Sequence, residues 1–367
     1  MNTIKVVGID LAKNVFQVCV WMEDGSVASN RKISRQKFLD TIRAFPPETL
    51  IAMEACATSH YWGRTLQSMG YHVRMVPTQH VKAFSHHQKN DANDALAICE
   101  TACRPGLHFV PIKTVEQQDI KALRCARQLM VEQRTALANQ IRAFLAEQGI
   151  IVPVGIQKLQ QHLPDILEEG DNALSCVLRR LLHTLWEDLQ NLNVSIHEMD
   201  NEITALSRQQ AGYGHLLTIP GVGPLIAAAF VSDVNASQFT HGRQLSAWCG
   251  LVPRQHSSGG KSRLSSLSKH GNRHLRTLII HGARAMIQGV QKRDDPLGEW
   301  LRTRITRCGP MKAIVALAKK LTRIIWRILT VFIRAHGSRI YVCDYVVRKC
   351  PHPLELSRCP YIGLITQ

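Results

Sequence analysis

Several signatures of common protein classes are missing from this sequence of 367 residues. Its 11 cysteines contain no Cys-x-x-Cys pair, which predicts free thiols in a reducing compartment rather than a disulfide framework. The chain opens directly into a strand pattern rather than a signal peptide. No uncharged apolar stretch reaches the roughly 18 residues typical of a membrane-spanning helix. We therefore expect a cytoplasmic protein without a membrane partner.

Two families of catalytic motif are also missing. The sequence has no Gly-x-Ser-x-Gly elbow and no Ser-His-Asp hydrolase signature, which argues against a serine hydrolase. It has no Walker A motif, which argues against a P-loop nucleotide site.

Acidic residues are few, with 28 Asp and Glu against 45 Lys and Arg, a formal net charge of +17 and a pI of about 9.7. Such an excess of positive charge predicts an anionic partner, most simply nucleic acid. An acidic protein or an anionic membrane surface is the alternative.

The length suggests two or three domains of about 150 residues each, and the 45% hydrophobic content suffices for their cores.

The first hundred residues follow a mixed α/β pattern. Three strand-like runs, Ile4 to Asp10, Val15 to Met22 and Val27 to Ser34, come first, with Asp24-Gly25 as a hairpin signal between the last two. Helical and strand-like segments then alternate. This order predicts a mixed α/β sheet.

Four acidic residues stand at informative places in this pattern. Asp10 and Glu54 each end a strand-like run, and Asp91 and Asp94 open a helical stretch three residues apart. Residues at i and i+3 share one helix face, with Cβ atoms about 5–6 Å apart. Carboxylates that converge from two strands and a helix suit the divalent metal ions of phosphodiester chemistry. An RNase H-like fold would bring them together.

Each acid also has a purely structural alternative. Asp10 could cap the turn after its strand, and Glu54 could be an edge charge. Asp91 could be the N-cap of the helix, with Asp94 a first-turn acid favoured by the helix dipole.

The middle of the chain is predicted to be helical. Val115 to about Gly149 is rich in Arg and Gln, and Arg124, Arg127, Arg134 and Arg142 are interpreted as its polar face. Further on, apolar residues alternate four and three apart for four heptads, which predicts a coiled-coil seam. That seam could lie within one chain or between protomers. Its members are Leu178, Leu182, Leu185, Leu189, Leu192, Ile196, Met199, Ile203 and Leu206.

Two stretches after Gly212 could bind nucleic acid. In Thr218 to Phe230, Gly221 and Gly223 form a tight turn that opens a helix near Pro224. This is similar to a helix-hairpin-helix element, which grips a phosphate backbone through N–H groups. A plain helix–helix connection is the alternative.

The second stretch, Gln244 to Arg276, surrounds a Ser-Ser-Gly-Gly loop with basic residues. Ser257 and Ser258 are ordinary loop residues in one interpretation and a nucleophile for a DNA phosphate in the other, with cations around the phosphate oxygens. The proposed phosphate contacts are Arg254, Lys261, Arg263, Lys269, Arg273 and Arg276.

Cysteine clusters offer a weaker metal hypothesis. Cys99 and Cys103 could ligate zinc, but no second ligand pair has the right spacing, and we interpret them as core residues. The tail offers a slightly better zinc set in Cys343, Cys350, His352 and Cys359.

Taken in order, six motifs resemble one known family. They are GIDLAK, MEACATSHYW, KNDANDALAI, IPGVGPLIAA, AWCGLVPRQHSSGGK and SKHGNRHLR. The chain resembles, up to about His336, the DEDD transposases of bacterial insertion sequences: the insertion-sequence one-ten family with its eleven-eleven branch, related to the Piv DNA invertase.

The resemblance implies a domain plan and a mechanism. Residues 1–112 would be a RuvC-like catalytic domain whose Asp10, Glu54, Asp91 and Asp94 bind Mg²⁺. Residues 113–210 would be a helical coiled-coil assembly segment, and 211–337 a mainly helical transposase domain with Ser258 as nucleophile. The tail 338–367 has no assigned role. Such enzymes, in the bacterial cytoplasm, recombine DNA through a covalent phosphoserine link.

The resemblance also implies partners. These are the DNA of the element ends and of the target, a guide-type non-coding RNA, and further copies of the chain in a dimer or tetramer. Two other hypotheses stay open: a RuvC-like structure-selective endonuclease in which water attacks, and a non-catalytic nucleic-acid-binding protein.

Overall fold

The computed structural model describes residues 3–84 and 90–335. The chain divides into two compact units, Met1–Gln118 and Asp119–Gln367. The first is mixed α/β and the second is mostly helical, as expected from the sequence. The finer domain boundaries at residues 112, 210 and 337 stay predictions. The tail 338–367, with the zinc set Cys343, Cys350, His352 and Cys359, lies outside the described residues.

A five-stranded sheet organises the first unit, in the order β3-β2-β1-β4-β5. β1, β2 and β3 form an antiparallel meander, whereas β4 and β5 run parallel to β1. The mixed sheet predicted from the alternating pattern is thereby confirmed. The strands are β1 (Ile4–Leu11), β2 (Val15–Met22), β3 (Val27–Ser34), β4 (Leu50–Glu54) and β5 (His72–Val76).

Helices cover both faces of this sheet. On one face lie α1 (Phe38–Arg43) and α2 (Ser59–Ser68). The rings of Phe38 and Trp62 on these helices pack edge to face against Phe16 of β2, with centroid distances of 4.7 and 5.3 Å. On the other face lie α3 (Thr78–Phe84), which sequence patterns did not predict, and α4 (Asp91–Ala102). Both faces bury apolar side chains, because alternate strand residues point to opposite sides.

The α4 face has a small-residue core that includes two cysteines. Cys19 of β2 and Cys99 of α4 are fully buried, and Cys99 Sγ donates to the carbonyl oxygen of Cys19 at 3.7 Å. Cys103 packs partly buried against the same cluster. The interpretation of Cys99 and Cys103 as core residues is confirmed.

Three helices open the second unit and bury the heptad seam. They are α5 (Val115–Ala146), α6 (Ile156–Glu168) and α7 (Cys176–Arg208). Leu182 and Leu189, one heptad apart, are fully buried against Ala138, Ile141 and Leu145 of α5 and against α6. The seam is therefore covered within one chain along this stretch, and its use between protomers stays a prediction.

The arginines of α5 do not form the solvent-facing side that the sequence suggested. Arg127 Nη2 contacts Asp200 Oδ2 of α7 at 3.1 Å, and Arg134 Nη1 contacts Asn193 Oδ1 of α7 at 3.2 Å. These pairs show that α5 and α7 run antiparallel. The expectation of a solvated polar face was wrong because guanidinium groups can lie at a helix interface when a carboxylate or amide on the facing helix receives them.

The most deeply buried of these pairs joins α5 to α9 (Pro224–Asp233). Arg124 Nη2 lies 3.1 Å from Asp233 Oδ2, and the two side chains are only 4% and 8% exposed. Arg124 Nη1 also donates to Ser232 Oγ at 2.8 Å. A guanidinium at this depth needs both partners, because water cannot reach it.

The remaining elements surround α9, whose residues 226–232 are all buried. The long helix near the end, predicted at Met311 to Arg334, is confirmed as α13, and its Leu317, Leu321 and Ile325 are fully buried. None of the helices in residues 3–84 and 90–335 has the length and apolar character needed to cross a bilayer. The elements are α8 (Tyr213–Leu217), α10 (Gly242–Trp248), β6 (Pro253–Gln255), β7 (Leu264–Leu267), α11 (Arg273–Gln288), α12 (Pro296–Cys308) and α13 (Pro310–Ala335).

Replacing Asp233 tests the buried pair. Asp233→Ala leaves the Arg124 charge buried without its carboxylate, and we expect a loss of about 3–5 kcal/mol in the free energy of unfolding. Urea denaturation measures the change, and Asp171→Ala, an exposed loop acid, is the control. A loss below about 0.5 kcal/mol in Asp233→Ala, the scale of an ordinary surface substitution, would contradict the role given to this pair.

Candidate active site

Asp10 and Glu54 lie side by side at one edge of the sheet. β1 and β4 are parallel neighbours in which Ile9 pairs with Met53, and the two acids are the next residues on each strand. Because successive side chains alternate between faces, both point to the side of Gly8 and Ala52, which α4 covers. The sheet register thus brings two of the four predicted acids together.

The start of α4 brings the other two. The helix is capped by Asn90, whose Oδ1 accepts from the backbone N–H of Asn93 at 2.8 Å. The alternative that Asp91 is the N-cap is therefore wrong: Asp91 and Asp94 both lie in the first helical turn. A carboxylate in the first turn is favoured by the helix dipole, so the helix can hold two of them there.

Gly8 sets the distance between α4 and the acid-bearing strands. A Cβ built at Gly8 would lie 2.6 Å from the carbonyl oxygen of Ala95 and would collide with Cys99 Sγ. The backbone of α4 therefore contacts β1 directly. On the helix the contact is at Ala95, the residue after Asp94, and on the strand it is at Gly8, two residues before Asp10. Any larger side chain at Gly8 would push the helical acids away from the strand acids.

The electrostatics of Asp10 show that the four acids share one environment. Burial raises the pKa of its carboxyl above the ordinary value of 3.8, and the negative charges of Asp94, Glu54 and Asp91 raise it further, in that order. A hydrogen bond from the backbone of Leu11 opposes the shift. Like charges raise a carboxyl pKa in this way only when they are close and poorly screened.

One lysine partly offsets this negative charge. Lys32 Nζ of β3 lies 2.9 Å from Asp91 Oδ2, and this hydrogen bond and charge hold the pKa of the Asp91 carboxyl below its ordinary value. Both side chains are well exposed, so the pair adds little to stability. We call the group of Asp10, Glu54, Asp91 and Asp94 the acid pocket. Within this group Asp91 is exposed and Asp10 is half-buried.

The donor chemistry of this pocket fits a divalent cation. Carboxylate oxygens are the ligands that Mg²⁺ prefers. Burial raises the pKa of Asp10 first and the charges of the other three acids raise it further, and a cation would neutralise those charges. Among the described residues, however, no three His, Cys, Asp or Glu side chains already stand close enough to hold one ion together. The acids share a pocket without forming a closed coordination shell.

The second predicted site, in the second unit, is the β6–β7 hairpin. Its tip is a two-residue turn in which Gly259 and Gly260 have φ of +56° and +76°, as the hairpin turn of type I′ requires. Ser258 pairs with Lys261 across this turn, and Lys261 N donates to the Ser258 carbonyl at 3.1 Å. All side chains from residue 253 to 266 are exposed. The hairpin thus displays Ser258 at its tip.

Hydrogen bonding distinguishes the two neighbouring serines. Ser257 Oγ accepts from Gln255 Nε2 at 2.9 Å and from the backbone N–H of Arg263 at 3.3 Å. Ser258 Oγ has no hydrogen bond in the part of the chain that the structure describes. Ser257 therefore stabilises the hairpin, whereas the hydroxyl of Ser258 is available for another molecule.

Ser258 shares its face of the hairpin with three basic residues. Lys261 lies directly across from it, and the backbone N–H of His256, two residues earlier, donates to the carbonyl oxygen of Arg263 on the other arm of the hairpin at 2.9 Å. Cross-strand partners and residues two apart point to the same side. The arrangement can surround an anion next to the hydroxyl.

The other predicted phosphate contacts have mixed surroundings. Arg273 and Lys269 are exposed, and Lys269 has a positive φ of +54°. Arg254 Nε donates to the Ser268 carbonyl at 3.3 Å, and Arg276 Nη1 donates to the Cys249 carbonyl at 3.2 Å. Both arginines therefore also fasten the base of the hairpin.

Of the two glycines in the turn before α9, Gly221 is required for close packing and Gly223 is not. Gly221 has φ of +82°, and a Cβ there would collide with Met286 of α11. Gly223 is the N-cap of α9, and a Cβ there would meet nothing within 4 Å. Of the two glycines, Gly223 is thus the one beside open space. The role of both in binding nucleic acid stays a prediction.

Comparison with known proteins agrees with this arrangement. Residues 7–149, which include all four acids, match a family model described as a transposase, the DEDD transposase domain of IS110. Residues 213–295, which include Ser258, match the transposase IS116/IS110/IS902 family.

Relatives cover nearly the whole chain. It is 41% identical over 331 residues to the transposase for insertion sequence element IS1111A of Coxiella burnetii, over 90% of this chain and 91% of the relative. The chain belongs to the IS110-family DEDD transposases. A probable family 20 transposase of Pseudomonas aeruginosa is 40% identical over 88% of this chain and 96% of its own. The transposase for IS1328 of Yersinia enterocolitica is 35% identical over 90% of this chain and 98% of its own.

Several residues around the four acids of this transposase were not singled out by sequence reasoning. Gly8 was noted only as the first residue of the GIDLAK motif. No sequence pattern indicated that Lys32 and Asn30 of β3 would lie near the acids. Gln17 had a weak one, since it interrupts the apolar run of β2 (VFQVCVWM). A polar residue in such a run indicates a polar neighbour on the next strand.

Gly8→Ala tests the contact that positions α4. The added methyl overlaps Ala95 and Cys99, and overpacking of this kind costs about 1–3 kcal/mol. Chemical denaturation should show that loss, whereas Gly170→Ala, where a Cβ meets nothing within 4 Å, should be nearly neutral. Equal stability of Gly8→Ala and the wild type would contradict a direct helix-on-strand contact.

Asp10→Asn tests the repulsion inside the pocket. Removing the charge should raise the free energy of unfolding of the metal-free protein at pH 7, by up to about 1 kcal/mol because the half-buried carboxyl is partly screened by water. The wild type holds the Asp10 proton more tightly when folded, so its stability falls as pH rises from 3.8 through the raised pKa. The advantage of Asp10→Asn should accordingly be present above that pKa and shrink towards pH 3.8.

Differential scanning calorimetry across pH measures this difference, with Asp171→Asn as the control for loss of a carboxylate. A variant less stable than the wild type at pH 7 without metal would contradict the repulsion.

Proposed function

We propose that this transposase cuts and rejoins DNA through a phosphoserine on Ser258, assisted by divalent metal at Asp10, Glu54, Asp91 and Asp94. The observation that carries the proposal is the convergence of the four acids through the β1–β4 register and the contact of α4 with Gly8. In agreement, burial and then the charges of the other three acids raise the pKa of Asp10. The strand order β3-β2-β1-β4-β5, with acids at the ends of β1 and β4, supports an RNase H-like, RuvC-like first domain.

The first chemical step transfers a DNA phosphate to the protein. Ser258 Oγ attacks the phosphorus, the bond from phosphorus to one strand oxygen breaks, and that strand leaves with a free hydroxyl. The serine proton needs an acceptor, and the imidazole of His256 is on the same hairpin face. Lys261 and Arg263 are placed to receive the non-bridging phosphate oxygens.

The second step restores both the DNA and the enzyme. The hydroxyl of an incoming strand attacks the same phosphorus, and Ser258 leaves with a proton. One phosphodiester is broken and one is formed, so the exchange needs no oxidant, reductant or nucleotide. A divalent ion, Mg²⁺ in our proposal, would supply Lewis-acid stabilisation of the phosphate charge when held by the four acids.

The partners follow from charge and from family membership. The net charge of +17 provides for two polyanions, the DNA of the element ends and target and a guide-type RNA from the element. We further propose that a dimer or tetramer assembles composite sites, with the acids of one protomer serving Ser258 of another.

The decisive experiment is to trap the covalent intermediate. The full-length protein with its co-purified RNA, Mg²⁺ and a nicked element-end DNA should yield a denaturant-resistant protein–DNA adduct that maps to Ser258 by mass spectrometry. Ser258→Ala should lower adduct formation and strand exchange by at least about a thousand-fold, as loss of a nucleophile does. Ser257→Ala is the matched control and should retain the adduct.

Other outcomes would favour other functions. Strand cleavage by Ser258→Ala at the wild-type rate, without an adduct, would indicate a structure-selective endonuclease in which water attacks. DNA binding with no cleavage by the wild type, unchanged by Asp10→Ala or Glu54→Ala, would indicate a non-catalytic nucleic-acid-binding protein.

A further inference from the structure

Gln17 is a buried amide beside the acid pocket. It lies on β2 directly opposite Asp10 in the antiparallel pair, and only 6% of it is exposed. Cross-strand partners point to the same face with Cβ atoms about 4.5–5.5 Å apart. The face is the one that α4 covers, since Cys19, two residues along β2, packs against that helix. Gln17 is therefore a neighbour of the innermost acid.

A relay of two amides connects this position to the first turn of α4. Gln17 Nε2 donates to Asn30 Oδ1 of β3 at 2.6 Å, and Asn30 Nδ2 donates to the carbonyl oxygen of Ala92 at 2.9 Å. Ala92 lies between the two helical acids, Asp91 and Asp94. The relay thus ties the segment that bears them to the strand beside Asp10.

The relay also determines which way each amide faces. The carbonyl of Ala92 can only accept, so Asn30 must present its nitrogen there and its oxygen to Gln17. Gln17 must then present its nitrogen towards β3, whereas Asp10 lies on its other side, on β1. The oxygen Oε1 is left buried, with no hydrogen-bond partner among the described residues.

A buried acceptor without a partner is costly in a folded protein, by about 1–3 kcal/mol. An apolar side chain of similar shape, such as methionine, would avoid that cost in a strand that is otherwise apolar. A glutamine at this position is therefore favoured only if another group, outside the residues that the structure describes, donates to Oε1.

We propose that Gln17 is a positioning residue of the acid pocket. Through Asn30 it holds the first turn of α4, which sets where Asp91 and Asp94 stand relative to Asp10 and Glu54. Its Oε1 is the acceptor for water that accompanies the bound divalent cation, because Mg²⁺ keeps several of its waters in protein sites. This inference rests on the proposed metal function of the four acids.

Divalent affinity, measured without DNA, tests the proposal independently of catalysis. Mn²⁺ binding to the full-length protein is followed by electron paramagnetic resonance, and the melting temperature is recorded in metal-free buffer. Gln17→Met should weaken Mn²⁺ binding by about 10–100-fold, the scale of losing an outer-shell partner. Its metal-free melting temperature should stay close to that of the wild type, because removal of the unpaired buried Oε1 offsets loss of the Gln17 Nε2 hydrogen bond to Asn30.

Two further variants make the result specific. Asn30→Leu keeps the size of the side chain but breaks the relay, and it should also weaken Mn²⁺ binding by about tenfold or more. Gln67→Met is the matched control, because Gln67 is exposed on α2, and it should bind Mn²⁺ as the wild type does. If Gln17→Met fails to fold, Asn30→Leu tests the relay by itself.

The outcomes separate this inference from the function on which it rests. Wild-type binding that is lost in Asp10→Asn but unchanged within twofold in Gln17→Met and Asn30→Leu would overturn the role of Gln17 alone. A lower metal-free melting temperature with unchanged affinity would show a merely structural relay and overturn it too. No Mn²⁺ binding by the wild type would overturn the metal site and this inference together.

Discussion

The contact between α4 and β1 at Gly8 is the constraint on which the acid pocket depends. Only a residue without a side chain lets the helix backbone approach the strand this closely, with Ala95 and Cys99 against Gly8. Because this contact is two residues from Asp10 along β1 and one residue from Asp94 along α4, it sets the separation of the two acids. Sheet register alone would bring two carboxylates together, and the helix contact adds the other two.

The acid pocket lowers the stability of the folded protein, because it holds like charges close together. Four carboxylates repel one another, and the pKa of Asp10 is raised first by its burial and then by the charges of the other three acids. The surrounding structure opposes it with the helix dipole, with Lys32 at the outer acid and with the amide relay through Gln17 and Asn30. Clustered charges and shifted pKa values are common at functional sites, and in our proposal a divalent ion would offset the repulsion.

The hairpin that bears Ser258 follows a different design. Its strands are exposed on all sides, so packing cannot hold them, and its base is fastened instead by backbone contacts. A Cβ at Gly250 would collide with the carbonyl of His270, and one at Gly271 with that of Trp248. Arg276 bonds the carbonyl of Cys249 between them. A fixed base with an accessible tip is consistent with the role proposed for Ser258, in which its side chain reaches DNA.

Sequence patterns predicted much of this protein because they depend on local chemistry. Strand-like runs placed β2 and β3 with correct bounds, and the acids at strand ends and at a helix start were recognisable from their positions. Heptad spacing identified the buried residues of α7. The arginines of α5 were misplaced, because whether a polar side chain meets water or a facing carboxylate depends on which helix packs there.

By itself, then, the sequence determined the strands and long helices, the positive charge and the motifs that mark the family, since each depends on residues near one another along the chain. The tertiary structure alone decided that Asp10 shares its environment with three other acids, that Ser257 is occupied while Ser258 is accessible, and that Gln17 reaches α4 through Asn30. The physical reason is that some of these contacts join residues 13 to 84 positions apart in the sequence. The others depend on the direction of a hydrogen bond. Both are set by sheet register and helix packing, which exist only once the chain has folded.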